Sequence, residues 1–255
     1  MNVLVCVKRV PMVGSRINLS LDGLSVDTRQ LGFTISPHEE CAVEEAVRIV
    51  EARGGVVSVL TLGPPEAVEQ LRDAAAIGAS RLIHLVTDER EWDPMATADA
   101  LVEEIRTVEA AQGVFDLILL GNEAPDTGDY QVGVRVAHAL GRPAVTGVKA
   151  LVVGDGTLQA RREFRGGDET FEMTMPCVVS VKEGINLPRY PSLPGRIRAK
   201  KVAVEEASPP WHAGPVRVVK LHTPVVERSR AEILGTGVDA VPALVDLLEK
   251  LGVLT

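Results

Sequence analysis

The chain has 255 residues, with 27 Lys+Arg against 35 Asp+Glu and a formal net charge of −8, which argues against broad nucleic-acid or anionic-membrane binding, since that needs a basic face. With 45% apolar and 24% charged residues it has the balance of a globular chain large enough for a full core. No run of ~18 apolar residues is present to cross a bilayer, so a chain that is not membrane-embedded is expected. Cys6, Cys41 and Cys177 lie far apart and outside any Cys-x-x-Cys pair, which fits a reducing cytoplasm better than a disulfide framework or a zinc site.

A strand pattern begins at once with Val3–Val7, leaving no room for a signal peptide. Further short runs of Val, Ile and Leu follow at Val56–Leu62, Leu82–Val86 and Leu117–Leu120, apolar without strict alternation, as parallel strands covered on both faces read. Helical patterns separate them at His38–Arg53, Pro65–Ile77, Pro94–Ala111 and Asp129–Leu140. The first carries Val43, Ala46, Val47 and Val50 on one stripe. Alternation of this length predicts an α/β fold, a doubly wound and mostly parallel sheet of the Rossmann-like, adenine-nucleotide-binding type. After Gly141 the pattern changes: Val148–Val153, Leu158–Phe164 and Thr170–Thr174, joined by Gly-rich turns, predict an added antiparallel meander, followed by another strand at Cys177–Val181. Residues 183–195 hold three prolines and neither a helical nor a strand period, and a basic run follows at Arg196, Arg198, Lys200 and Lys201. Beyond Ser208-Pro209-Pro210 the chain thins and recovers a helical face only at Asp239–Leu251. We therefore expect a body over residues 1–205 and a C-terminal arm over 206–255, too small for a core of its own.

The common Gly-x-Gly-x-x-Gly and P-loop fingerprints are missing, as are a Gly-x-Ser-x-Gly elbow and any His spacing suited to a metal. His84, in a strand pattern, reads as a core histidine. Two helix starts carry more information. Ser36-Pro37-His38-Glu39 combines a Ser N-cap, a Pro at the first helical position and a Glu three residues after the cap, which by itself says only that a helix is well started. The stretch from Gly121 and Asn122 through Asp126, Thr127, Gly128, Asp129, Tyr130 and Gln131 to Val132 leaves a strand's carboxyl end and runs into a helix, where open α/β sheets bind ligands. A helix N-terminus there suits a phosphate, whereas Asp126 and Asp129 suit capping or hydroxyl groups better. On the residues alone, a mononucleotide site and a plain connecting loop both stay open.

Taken together, four segments resemble the β subunit of electron transfer flavoprotein. They are Val3 to Val10; Ser36-Pro37 with Ala42-Val43-Glu44-Glu45-Ala46; Arg162 through Gly166-Gly167, Glu169, Pro176 and Val178-Val179-Ser180; and Asn186 to Tyr190 with Leu193-Pro194. The resemblance implies a subunit without catalytic residues of its own, in a heterodimer with an α subunit that holds most of a redox FAD. It implies electron transfer from flavin dehydrogenases, such as the acyl-CoA dehydrogenases of fatty acid oxidation, to a quinone oxidoreductase. It places an AMP of structural role at Cys6, Ser36, Pro37, His38, Glu39, Leu62 and Gly121 to Val132, with His38 approaching the flavin. It makes Arg189, Tyr190 and Leu193 part of a loop that docks dehydrogenases, and seats the C-terminal arm on the α subunit. Ser36, Arg165, Phe171 and the loop from Asp126 to Tyr130 depart from the family pattern. The alternatives are an electron-bifurcating form, with a second FAD in the AMP site and NADH as donor, and a nucleotide-binding regulatory module.

Overall fold

The computed structural model describes residues 1–12, 14, 17–88, 90–224 and 231–254. Its apolar runs become the strands β1 (Asn2–Val7), β4 (Val56–Gly63), β5 (Arg81–Val86), β6 (Leu117–Gly121), β7 (Ala144–Val153) and β10 (Cys177–Val181). With β8 (Thr157–Phe164), β9 (Gly167–Thr174) and β11 (Val204–Ala207) they form one sheet of nine strands, in the order β11-β5-β4-β1-β6-β10-β7-β8-β9. From β11 to β7 every pairing is parallel, and only β8 runs antiparallel to its neighbours β7 and β9. A separate two-stranded ribbon pairs β2 (Val10–Pro11) with β3 (Phe33–Thr34).

The period-two alternation of side chains along β1 explains why the sheet carries helices on both faces. Val3, Val5 and Val7 face one core with Ala42, Val43 and Ala46 of α1 (Pro37–Arg53) and Leu71 and Ala75 of α2 (Val68–Ile77). Leu4 and Cys6 face the other, with Leu101 and Ile105 of α3 (Pro94–Gln112) and Val136 and Ala137 of α4 (Val132–Leu140). The chain leaves β1 toward β4 and β5 on one side and returns to place β6 on the other, so the strand order reverses at β1. That switch point, at the carboxyl ends of β1 and β6, opens the crevice in which such sheets take ligands.

Three features differ from the sequence expectation. The helix expected from Asp129 begins at Val132, because Gly128 and Tyr130 take left-handed φ angles of 61° and 57°. The Pro-rich stretch ends in a short helix, α5 (Leu193–Ala199), since a proline within the first turn has no intrahelical N–H to lose and Ser192 Oγ accepts from Gly195 N–H (3.1 Å). Strand β11, four residues long, is recruited to the sheet edge by pairing with β5 and by the Arg81–Glu205 ion pair at 2.5 Å.

By contacts the chain divides into two compact units, Met1–Val219 and Lys220–Thr255. In the second, a 3-10 turn (Gly237–Ala240) leads into α6 (Val241–Lys250), none of whose residues is buried.

Candidate functional site

At the switch point the first turn of α1 is fastened to the end of β1 by a single carboxylate. Ser36 caps the helix in extended backbone (φ −68°, ψ 154°), and its Oγ accepts from Glu39 N–H at 3.2 Å. In return one carboxylate oxygen of Glu39 accepts from Ser36 N–H and the other from Lys8 N–H, both at 2.8 Å. This capping box pairs the Ser36 and Glu39 N–H groups within the protein, and Pro37 has no N–H to offer. Glu39 is buried, and burial pushes its carboxyl up from 4.5 to about 7 against the opposing pull of those backbone donors and of the Lys8 charge. Cys6, at the end of β1, is pushed up to about 12 by its own burial and secondarily by Glu39, so it stays a neutral thiol and packs as a small apolar side chain.

Gly121 ends β6 against the same turn. A Cβ there would stand 2.8 Å from Glu39 Cγ and 3.2 Å from His38 Cβ, so only glycine lets α1 close onto this strand. His38 bridges two strand ends. Its Nδ1 accepts from the Glu183 N–H beyond β10 (2.8 Å), which leaves the proton of the neutral ring on Nε2, 3.3 Å from Glu123 Oε1 beyond β6. Asn122 N–H donates to Val181 O at 2.9 Å and keeps the β6 and β10 exits together.

The loop after β6 swings back to β1 through Lys8, whose Nζ lies 2.8 Å from Asp126 Oδ2 and 3.4 Å from Thr127 Oγ1. Asp129 and Tyr130 are exposed. Gln131 then stands as N-cap of α4 but turns its side-chain oxygen to Arg135 (2.8 and 3.1 Å), so no side chain caps this helix. Its first N–H groups, at Val132, Gly133 and Val134, carry the positive end of the helix dipole. Gly133 sits close against β10, where a Cβ would come within 2.7 Å of Ser180 Oγ. The two helix starts are thus unlike: α1 carries a capping box and α4 has no side-chain cap.

Cys6, Ser36, Pro37, His38, Glu39, Gly121, Asn122, Asp126 and Thr127 are therefore brought to one place, Leu62 lies at the end of the adjacent β4, and Gly128 to Val132 form the rim leading into α4. Sequence reasoning passed over Lys8, Gly133 and Glu183 as residues of this site. A lysine directly after the first strand was the one readable signal among them. Among the described residues, no group of three or more His, Cys, Asp or Glu could hold a metal ion.

The second set of candidate residues lies along the flank of α1. Arg189 reaches both Glu44 (Nε to Oε2 2.9 Å, Nη2 to Oε1 3.0 Å) and Glu51 (Nη1 to Oε1 2.7 Å, Nη2 to Oε2 2.8 Å), while its N–H donates to Glu44 Oε2 at 3.1 Å. Asn186 Nδ2 donates to Cys41 O (3.0 Å) and Glu45 Oε2 (2.8 Å). Tyr190 and Leu193, in contrast, are exposed.

A doubly wound, mostly parallel sheet with helices on both faces defines an α/β protein. The family model described as electron transfer flavoprotein domain matches residues 23–211. The chain is 35% identical to "Electron transfer flavoprotein subunit beta" of Bacillus subtilis over 208 residues, 81% of this chain and 78% of that one. It is 34% identical to the protein of the same name from Mycobacterium tuberculosis (80% and 77% covered), and 32% identical to that of Thermoanaerobacterium thermosaccharolyticum (98% of each). The chain belongs to the electron transfer flavoprotein β-subunit family, whose members are electron-carrier subunits rather than catalysts. No helix among the described residues is long and apolar enough to cross a membrane.

Proposed function

We propose that this chain pairs with an electron transfer flavoprotein α subunit and holds one AMP in the crevice between the α1 and α4 starts. The observation that carries the nucleotide is the contrast between those starts. The α1 start is capped by Ser36 and Glu39, whereas α4 keeps its N–H groups without a side-chain cap, as a phosphate requires. The donor set fits the group. Asp126, which would repel a phosphate, is neutralised by Lys8, and Gly128 at φ 61° lets backbone approach the ligand closely. Gly128 to Val132 would hold the phosphate, and Cys6, Leu62, Gly121 and Asn122 would line the nucleoside. The nucleotide would join both faces of the switch point and so stabilise the native chain by mass action.

A redox FAD, held mainly by the α subunit, would supply the electron chemistry, taking electrons from flavin dehydrogenases, such as acyl-CoA dehydrogenases, and passing them to a quinone oxidoreductase. This chain would contribute His38 toward it, with the ring orientation set by Glu183 N–H and Glu123. Leu193 and Tyr190 would dock the dehydrogenase, and the exposed apolar stripe Val241, Leu244 and Val245 of α6 would pack on the α subunit. The test is to denature the purified complex and identify the released nucleotides by mass. One AMP per heterodimer beside one FAD is expected. A second FAD in place of AMP would assign the bifurcating form, and no nucleotide beyond the first FAD would overturn the site.

A further inference from the structure

Trp92 is one of only two tryptophans in the chain, and its indole N–H is buried with no hydrogen-bond partner among the described residues. An indole nitrogen is a donor only, and a buried one is ordinarily paired. Left unpaired it destabilises the chain unless a ligand or a water meets it. Its place in the fold favours a ligand. Leu62 pairs with Leu85 near the ends of β4 and β5, and Thr87 N–H, just beyond β5, donates to Gly63 O at 2.9 Å. The chain that leads to Trp92 therefore departs beside Leu62. Trp92, Leu62 and Val132 all belong to the partly buried fringe of one apolar core, the core that also holds Cys6. Cys6, Leu62 and Val132 are residues already given to the nucleotide. The strands run in the order β5-β4-β1-β6, with neighbours ~4.8 Å apart. Trp92, beyond β5, thus lies three strands from the α4 start that follows β6, at the base end of the crevice and not the phosphate end. The backbone around it is gripped from far along the chain. Ala207 of β11 pairs with Leu85, and beyond it Trp211 donates its indole N–H to Glu91 O at 3.0 Å while its ring lies 4.7 Å from the Arg90 guanidinium. Val216 N–H donates to Asp93 Oδ2 at 3.2 Å, and Asp93 Oδ1 caps α3 by accepting from Ala96 N–H at 2.8 Å. The residues on both sides of Trp92 are so held by partners 120 and 123 positions away.

We propose that Trp92 is a binding residue of the nucleotide crevice, its indole N–H donating to a ring nitrogen of the adenine base, and that the strap from Trp211 to Val216 positions it. The inference rests on the AMP site proposed above and adds to it a residue and the segment that holds that residue. The chemistry of the two groups matches. Ring nitrogens of adenine are acceptors without charge, and a neutral donor in an apolar wall suits them. Cys6 remains a neutral thiol and Leu62 is apolar, so neither brings a charge to the base. The ligand is then divided between two kinds of donor: backbone N–H groups of the α4 start for the phosphate, and one indole N–H for the base. Trp211, Asp93 and Val216 act only through Trp92. Their hydrogen bonds are spent within the chain, and they fix the loop before the ligand arrives, which lowers the ordering cost of binding.

The experiment titrates AMP into purified heterodimer refolded with FAD alone, and records the indole N–H resonances of this chain, labelled with 15N-tryptophan beside an unlabelled α subunit. Trp92→Phe keeps an aromatic ring and removes the donor. It should raise the Kd for AMP roughly 3- to 30-fold, the scale of one buried hydrogen bond, with FAD content and heterodimer assembly unchanged. The resonance missing from Trp92→Phe should shift in the wild type when AMP is added, and its exchange with solvent should slow. Trp211→Phe should raise Kd in the same direction, and the double variant should be no worse than Trp92→Phe alone, because the strap acts through Trp92. A wild-type Kd in Trp92→Phe, with a Trp92 resonance indifferent to AMP, would overturn the proposal and leave the crevice standing. A weaker Kd with an indifferent resonance would make Trp92 a packing residue and overturn the donor role. An unchanged Kd in Trp211→Phe beside a raised one in Trp92→Phe would overturn the strap alone. If the wild type itself takes up no AMP, the crevice fails and Trp92 with it.

Discussion

Glu39→Gln tests the nucleotide crevice through its most deeply buried charge. In the native chain the Glu39 carboxyl is raised from 4.5 to about 7, chiefly by burial. In the unfolded chain it titrates at its ordinary value. Because the folded value is the higher one, the native state binds more protons between the two, and stability falls with rising pH. The contribution of Glu39 is fully present below pH 4.5 and is lost as pH rises through about 7. The gap from 4.5 to about 7, at ~1.4 kcal/mol per unit, amounts to roughly 3 kcal/mol, of which about 2–3 falls between pH 5 and 8. Glutamine keeps the shape but cannot ionise. Its single oxygen also cannot serve Ser36 N–H and Lys8 N–H as two carboxylate oxygens do, which costs a pH-independent ~1–3 kcal/mol. The informative quantity is therefore the slope. Urea unfolding of both proteins from pH 5 to 8 should show the stability advantage of the wild type shrinking by about 2–3 kcal/mol, other carboxylates cancelling in the difference. A difference independent of pH would refute the reasoning: the two backbone donors and Lys8 would then outweigh burial and keep Glu39 ionised throughout.

Gly121→Ala should cost ~1–3 kcal/mol and lower nucleotide content, because its Cβ meets a Glu39 side chain that two hydrogen bonds hold in place; an unshifted urea midpoint with full nucleotide would show that the α1 turn can yield. Gly195→Ala places a Cβ 2.2 Å from Ala76 O, where α5 meets α2, and should lower the thermal midpoint and raise KM for the dehydrogenase together; a lower midpoint with unchanged KM would separate α5 from docking. Removing residues from 226 onward should weaken heterodimer assembly on a sizing column and leave the circular dichroism of the body intact, and undiminished assembly would refute the role given to α6.

Local signals carried much of this protein. The Val-, Ile- and Leu-rich runs predicted β1, β4, β5, β6 and β10, since a strand covered on both faces must be apolar throughout. Ser36-Pro37-His38-Glu39 predicted the start of α1 down to its capping box, because every partner in that box lies within three residues. The four-segment resemblance pointed to the family. The tertiary structure alone decided what these pieces do to one another. That Glu39 fastens β1, that His38 joins the exits of β6 and β10, and that Arg189 is held by α1 depend on pairs 31, 145 and 145 residues apart. Such pairs meet only after strand order and crossovers have placed β6 beside β1 and β10 beside β6. Periodicity reports the burial of one segment at a time, and neither the Pro-rich loop nor β11 has a helical or strand period strong enough to announce itself. The neighbours they meet hold them in place, α1 through Asn186 and Arg189 of the loop and β5 through the strand pairing.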